Sequence, residues 1–281
     1  MKEIRFFYVP DAAEANQLPE EEAQHCIRVL RLQIGDEIML MDGAGTFYKA
    51  EIVNVQSKKC FYQIVETEPQ AKEWGGWLHL ALAPTKNMDR VEWLAEKATE
   101  IGFDELTFLN CKNSERKVVK NERVDKILIS AVKQSRKSCK PILNEMLDFK
   151  AFIQQVEDYE QKFIAHCYDE RDVLGESVSA GEMKDMGRGK PFLYDILQSG
   201  KKTVVLIGPE GDFSLEEVRY ALQHGFEPVS LGKSRLRTET AALVAVQMIR
   251  PCPRGRGLSR GKRRRCCRSR ISQRRSSRRA P

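Results

Sequence analysis

Val204-Val-Leu-Ile-Gly208-Pro209-Glu210-Gly211-Asp212-Phe213-Ser214 is the stretch on which the fold turns. The near-continuous apolar run from Thr203 to Ile207 reads as a strand buried on both faces, the habit of parallel sheets. It stops at a tight Gly-Pro turn. Ser214-Leu-Glu-Glu217 then has the pattern of a capping box opening a helix, which Gly225 closes. The same alternation repeats outward in both directions. Leu78 to Ala83 reads as a strand and Met88 to Ile101 as a helix, with Val91, Leu94, Ala95, Ala98 and Ile101 on one face. Gly102 stands where a left-handed C-terminal cap is expected. Leu106 to Leu109 reads as a strand, and Val124, Ile127, Leu128, Ala131 and Val132 mark the next helix. Lys162 to Cys167 and Pro228 to Leu231 read as further strands, and Thr238 to Met248 as a last helix. Strands alternating with helices predict a parallel α/β sheet.

Residues 1–70 read differently. Arg5-Phe-Phe-Tyr-Val9, Ile38 to Met41, Phe47 to Val55 and Cys60 to Val65 are strand-like, with a turn at Asp42-Gly-Ala-Gly45 and one short helix over Glu21 to Leu32. Many short strands with one helix predict a small barrel. Residues 71–77 are expected to form a linker, 78–249 the α/β domain, and 171–190 a mobile loop. From Arg250 to Pro281 periodicity vanishes, and a disordered Arg-rich tail is expected. That tail reads either as a basic RNA-binding arm or as sequence foreign to the fold, such as an out-of-frame 3′ end; the abrupt change inside a helix favours the second.

The 281 residues, 41% of them hydrophobic, exclude a disulfide-stapled miniprotein, a fibrous repeat and a wholly disordered chain. No apolar run approaches the length of a membrane helix, and the N-terminus lacks the apolar stretch of a secretory signal. A cytoplasmic protein with reduced thiols is expected. The formal net charge of +7 hides a split. Met248 to Pro281 carries 13 Arg and one Lys with no acid, leaving the body 33 basic residues against 40 acidic ones. Any nucleic-acid surface on the body is therefore local. Arg5, Arg28 and Arg31 on the small domain, and Lys86, Lys133, Gln134 and Arg136 on the large one, are the candidates for it.

Ligands collect at the carboxyl ends of parallel strands. Two such ends are rich in glycine and charge, Leu206-Ile-Gly-Pro-Glu-Gly211 and Leu231-Gly-Lys-Ser-Arg-Leu-Arg-Thr-Glu-Thr-Ala241. They read as two walls of one pocket. Neither is GxGxxG or GxxxxGK, so a dinucleotide or P-loop site is poorly supported. His25-Cys26 and His166-Cys167 match no zinc spacing, and no metal is expected.

Four segments in order resemble the ribosomal RNA small subunit methyltransferase E family: Arg5-Phe-Phe-Tyr-Val-Pro10, His25-Cys-Ile-Arg-Val-Leu-Arg-Leu-Gln-Ile-Gly-Asp36, Ile207-Gly-Pro-Glu-Gly211 and Leu231 to Ala241. Lys86, Glu92, Lys97 and Glu100-Ile-Gly102 resemble the first helix of its SPOUT domain. The resemblance covers about residues 1–248. It implies a PUA-like barrel followed by a SPOUT α/β domain ending in a trefoil knot. It also implies a homodimer that uses S-adenosylmethionine to methylate N3 of a uridine in 16S rRNA of the small ribosomal subunit. Carried onto this chain, the cofactor contacts are Leu206, Ile207, Gly208, Pro209, Glu210, Gly211, Leu231, Gly232, Ser234, Leu236, Arg237, Thr240 and Ala241, with His166 a weaker candidate. Arg237 is the candidate for electrostatic stabilisation, and Glu210 or Glu239 for orientation or proton acceptance. Asp212 stands where the family commonly has a second glycine. Two other readings compete: a non-catalytic rRNA-binding assembly factor, and a SPOUT methyltransferase acting on tRNA.

Overall fold

A computed structural model describes residues 4–72, 74–169, 173 and 189–250. Most of the 171–190 segment and the tail beyond Arg250 lie outside the described residues.

The N-terminal part is a four-stranded sheet of order β1-β2-β3-β4: β1 (Arg5–Tyr8), β2 (Glu37–Met41), β3 (Thr46–Val55) and β4 (Cys60–Pro69). β1 runs parallel to β2, and the other pairs are antiparallel. The alternation of β3 fixes which face is buried. Tyr48, Ala50 and Ile52 point into a core with Phe7, Leu18, Ile38 and Leu40, while Glu51 and Val53 face out. The short helix differs from expectation. An α-turn, α1 (Glu20–Gln24), passes into a wider π-turn over His25–Val29, which leaves Cys26 buried and Arg28 and Val29 exposed.

The larger part is a seven-stranded sheet, every pairing parallel, of order β11-β9-β10-β5-β6-β7 with β8 beside β6. Its strands are β5 (Trp77–Leu82), β6 (Glu105–Asn110), β7 (Ile142–Leu143), β8 (Leu147–Asp148), β9 (Gln161–Ala165), β10 (Lys202–Ile207) and β11 (Glu227–Val229). The helices are α2 (Met88–Ile101), α3 (Asn121–Ser135), α4 (Phe149–Gln155), α5 (Leu193–Ile196), α6 (Leu215–Gln223) and α7 (Thr238–Ile249). They cover both faces. Val205 and Ile207 of β10 pack with α2, α3 and α7, whereas Val204 and Leu206 pack with Phe149, Phe152, Phe213 and Val218 of the opposite layer. That division is why the strand reads as an unbroken apolar run.

Gly102 ends α2 at φ +116°, ψ +128°, not in the left-handed helical region expected of it. Glycine is still required there: a Cβ would meet the Trp74 ring at 2.8 Å. The capping box of α6 is present in full. Ser214 Oγ accepts from the Glu217 backbone N–H at 3.3 Å, and the Glu217 carboxylate accepts from Ser214 N–H at 2.8 Å. Thr238 is the first residue of the last helix, with Arg237 in the cap position. Among the described residues no helix is long and apolar enough to cross a membrane.

Candidate active site

The carboxyl ends of the adjacent strands β11, β9 and β10 open onto one cavity of about 360 Å³. Two loops far apart in sequence wall it. The loop after β10 brings Ile207, Gly208, Pro209 and Glu210, and the loop after β11 brings Leu231, Gly232, Ser234, Leu236, Arg237 and Ala241. Pro209 and Leu236 thus share a single space. Gly208 keeps that space tight: a Cβ there would meet Phe213, a fully buried ring, at 3.1 Å.

Three expected contacts do not reach the cavity. Leu206 alternates to the other face of β10 and is buried with Phe213 and Val218. Gly211 lies against Asn113, whose amide donates to its carbonyl at 3.3 Å. Thr238 and Ala241 line the cavity one helical turn apart, which turns Thr240 away. Conversely, Arg90, Cys167 and Asp212 line it without having been expected there. A signal for Arg90 existed in its place on the first turn of the helix that follows β5, the strand beside β10.

Four side chains define the local chemistry. Glu210 Oε1 accepts from the Lys86 backbone N–H at 2.9 Å, so this carboxylate braces the loop after β5. Arg116 reinforces the same loop by donating to the carbonyls of Thr85 and Lys86. Asp212 adopts φ +63°. Its carboxylate accepts from Cys167 N–H at 2.7 Å and Phe213 N–H at 2.8 Å, fastening the loop after β10 to the end of β9. His166 accepts at Nδ1 from the Lys190 ammonium, 3.1 Å away, which places the ring proton on Nε2. Burial, with help from Lys190, pushes His166 down to about 3, so it is neutral. Its Nε2 is buried with no protein partner. Glu239, 8% exposed, is likewise left with Oε2 buried and unpartnered, while Oε1 lies 3.6 Å from Arg90 Nη1.

The basic candidates fall into two groups. Arg5, Arg28, Arg31 and Lys86 are exposed, the last paired with Glu115 at 2.9 Å. Part of the Lys133–Lys137 run makes contacts at the joint between the two parts of the chain. Lys133 donates to Glu22 at 2.6 Å and is largely covered, and the Arg136 guanidinium lies 5.5 Å from the Phe6 ring centre. Gln134 beside them stays exposed.

A model of an RNA methyltransferase domain matches residues 72–250, and one of an RNA methyltransferase PUA domain matches residues 18–65. The parallel sheet, its carboxyl-end cavity and the PUA-like domain define the class, an RNA methyltransferase. A probable rRNA-methyltransferase from Porphyromonas gingivalis is 41% identical with a TM-score of 0.77, over 88% of this chain and 97% of that one. The ribosomal RNA small subunit methyltransferase E of Neisseria gonorrhoeae, solved bound to S-adenosyl methionine, is 25% identical with a TM-score of 0.68, over 87% of this chain and 95% of that one. The enzyme of that name from Bacillus subtilis is 27% identical over 82% of this chain and 87% of its own length. The chain belongs to the ribosomal RNA small subunit methyltransferase E family.

Proposed function

We propose that this protein methylates N3 of a uridine in 16S rRNA of the small ribosomal subunit, with S-adenosylmethionine as the donor. The observation that carries the reading is the single cavity walled by Ile207–Glu210 and Leu231–Ala241. Its volume lies in the range of small-molecule sites, roughly 300–1,000 Å³. The residues present fit the donor. Backbone at Gly208 and Gly232 permits close approach, Leu231, Leu236 and Ala241 give apolar walls, and the unpartnered His166 Nε2 is a polar anchor. When bound, S-adenosylmethionine supplies a methyl group on a positively charged sulfur. The protein's own part is positioning: Glu210 and Asp212 hold the loops that form the walls, and Arg237 stabilises negative charge on the base.

The finer architecture belongs to the same proposal. The division is 1–70, a linker at 71–77, and 78–249. Hydrogen bonds from Leu18 to Cys60 and from Tyr62 to Asn16 draw the segment after β1 onto β4, in keeping with a closed PUA-like barrel. α7 follows the edge strand β11 yet packs on α2, β5 and β10 at the middle of the sheet, as a chain end threaded into a trefoil knot requires. Arg5, Arg28 and Arg31 contact RNA from the small domain. The working form is a cytoplasmic homodimer.

Titration calorimetry with S-adenosylmethionine, followed by methylation of undermodified small subunits and of tRNA side by side, tests the reading. N3-methyluridine mapped to 16S rRNA supports it. Absence of donor binding defines a non-catalytic RNA binder, and label in tRNA alone moves the substrate.

A further inference from the structure

The cavity holds a carboxylate that the loops do not explain. Glu210, Asp212 and Glu217 each accept backbone N–H bonds that fasten a turn. Glu239 does not. It is 8% exposed, lines the cavity, and keeps Oε2 buried with no hydrogen-bond partner. A buried carboxylate oxygen without a donor is costly, which calls for a donor that arrives with a ligand. Two cationic side chains border the same wall. Arg90 Nη1 lies 3.6 Å from Glu239 Oε1, and Arg237 is two residues away in the chain and also lines the cavity.

This sets an acceptor beside one donor, with a second donor lining the same cavity. The Watson–Crick edge of uracil presents the complement: an N3–H donor between two carbonyl acceptors. Cytosine presents a bare acceptor at N3 and an amine beside it, so the same wall would set carboxylate against lone pair and guanidinium against amine. We propose that Glu239 receives the N3 proton of the target uridine, with Arg90 and Arg237 holding the flanking carbonyl oxygens. The inference rests on the uridine-N3 reading above and assigns its base-recognition elements and its proton acceptor. In the step, the N3–H bond breaks, its proton forms an O–H bond at Glu239 Oε2, and the electron pair stays on N3 as the nucleophile. The carboxylate loses its charge as the ring would gain one, and the two guanidinium groups stabilise what charge remains on the oxygens. The proton returns to solvent at the cavity mouth, where Arg90 is part-exposed.

Glu239→Gln keeps the size of the side chain and removes its basicity. S-adenosylmethionine affinity by calorimetry is expected to stay within about twofold, while single-turnover methylation of small subunits from cells lacking the enzyme falls by about 10²–10⁴-fold. Hydroxide replaces the missing acceptor, so the variant's rate rises about tenfold per pH unit while the parent's stays flatter. Wild-type protein is also expected to bind those subunits more tightly than subunits with cytidine at the target position, and Arg90→Gln narrows that gap. A variant with weakened donor affinity and an unchanged saturated rate would show that Glu239 holds the cofactor, overturning the proposal. A rate deficit that is the same at every pH would leave the residue a positioning one and overturn it equally. Failure of the wild-type protein itself to form N3-methyluridine would remove the parent reading, and it is seen without any variant.

Discussion

Asp212 occupies left-handed backbone, φ +63°, which favours glycine but which aspartate tolerates better than most residues. Here it does what glycine cannot. Its two carboxylate oxygens accept N–H groups of Phe213 and Cys167, so the loop after β10 is fastened to the end of β9. Asp212→Gly keeps the backbone and loses the fastening, at about 1 kcal/mol, whereas Asp212→Ala adds left-handed strain for about 2–3 kcal/mol. Urea midpoints order the two, and a weaker affinity for S-adenosylmethionine in both is expected from calorimetry. Two histidines set the acid response. Burial, opposed by Glu105 and aided by Lys202, pushes His79 down to about 4; its ring sits between the Tyr159 hydroxyl at 2.9 Å and Thr107 Oγ1 at 2.7 Å. His166 lies at about 3. In the unfolded chain both take up a proton near pH 6.5. Between pH 6.5 and about 4 the unfolded chain therefore binds more protons, and the fold weakens as pH falls. The loss is about 2 kcal/mol per histidine by pH 5. Urea titrations at pH 7 and pH 5 measure it, and His79→Gln is expected to shallow the slope.

At the scale of the element, α6 shows how one cap serves two loops. Ser214 and Glu217 satisfy each other's backbone, and Glu217 Oε1 also accepts from Lys112 N–H at 2.8 Å, tying the turn after β6 to the start of the helix. Ser214→Ala removes one cap bond and is expected to cost about 1 kcal/mol. Glu217→Ala strips the Ser214 and Lys112 N–H groups, both part-buried, of their acceptor and is expected to cost about 2 kcal/mol. Equal urea midpoints for the two variants would contradict this account. The capping box was legible in four letters because its bonds are local. α4, β7 and β8 were not: β7 and β8 are two residues each, and α4 is seven residues held by Phe149, Phe152 and Ile153 against the sheet. The π-turn at His25–Val29 escaped likewise, since its apolar spacing reads equally well as an ordinary helix.

At the scale of the whole molecule, the described residues group into one compact unit, and α3 is the joint within it. Lys133 to Glu22 and Arg136 over Phe6 join it to the small sheet, with Lys140 N–H donating to Gly43 at 2.8 Å. A second link, Lys126 to Glu21, is largely exposed. Lys133→Ala leaves Glu22 largely buried without its partner and is expected to cost about 2 kcal/mol. Lys126→Ala leaves the urea midpoint unmoved, because exposed pairs are screened. The charge of Lys133 is visible in the sequence, but its partner 111 residues away is not.

The sequence alone determined the elements and their order, because apolar periodicity, caps and turn residues act between neighbours in the chain. It also determined the family, through four motifs in a fixed order. Only the tertiary structure decided which residues of the two loops face the cavity, that Leu206 turns into the opposite layer, and that Glu239 keeps an unpartnered oxygen beside Arg90. Those outcomes depend on which strands become neighbours. The pairing of β10 with β9 and β5 is fixed by burying both faces of the sheet at once, a condition that no local stretch of sequence contains.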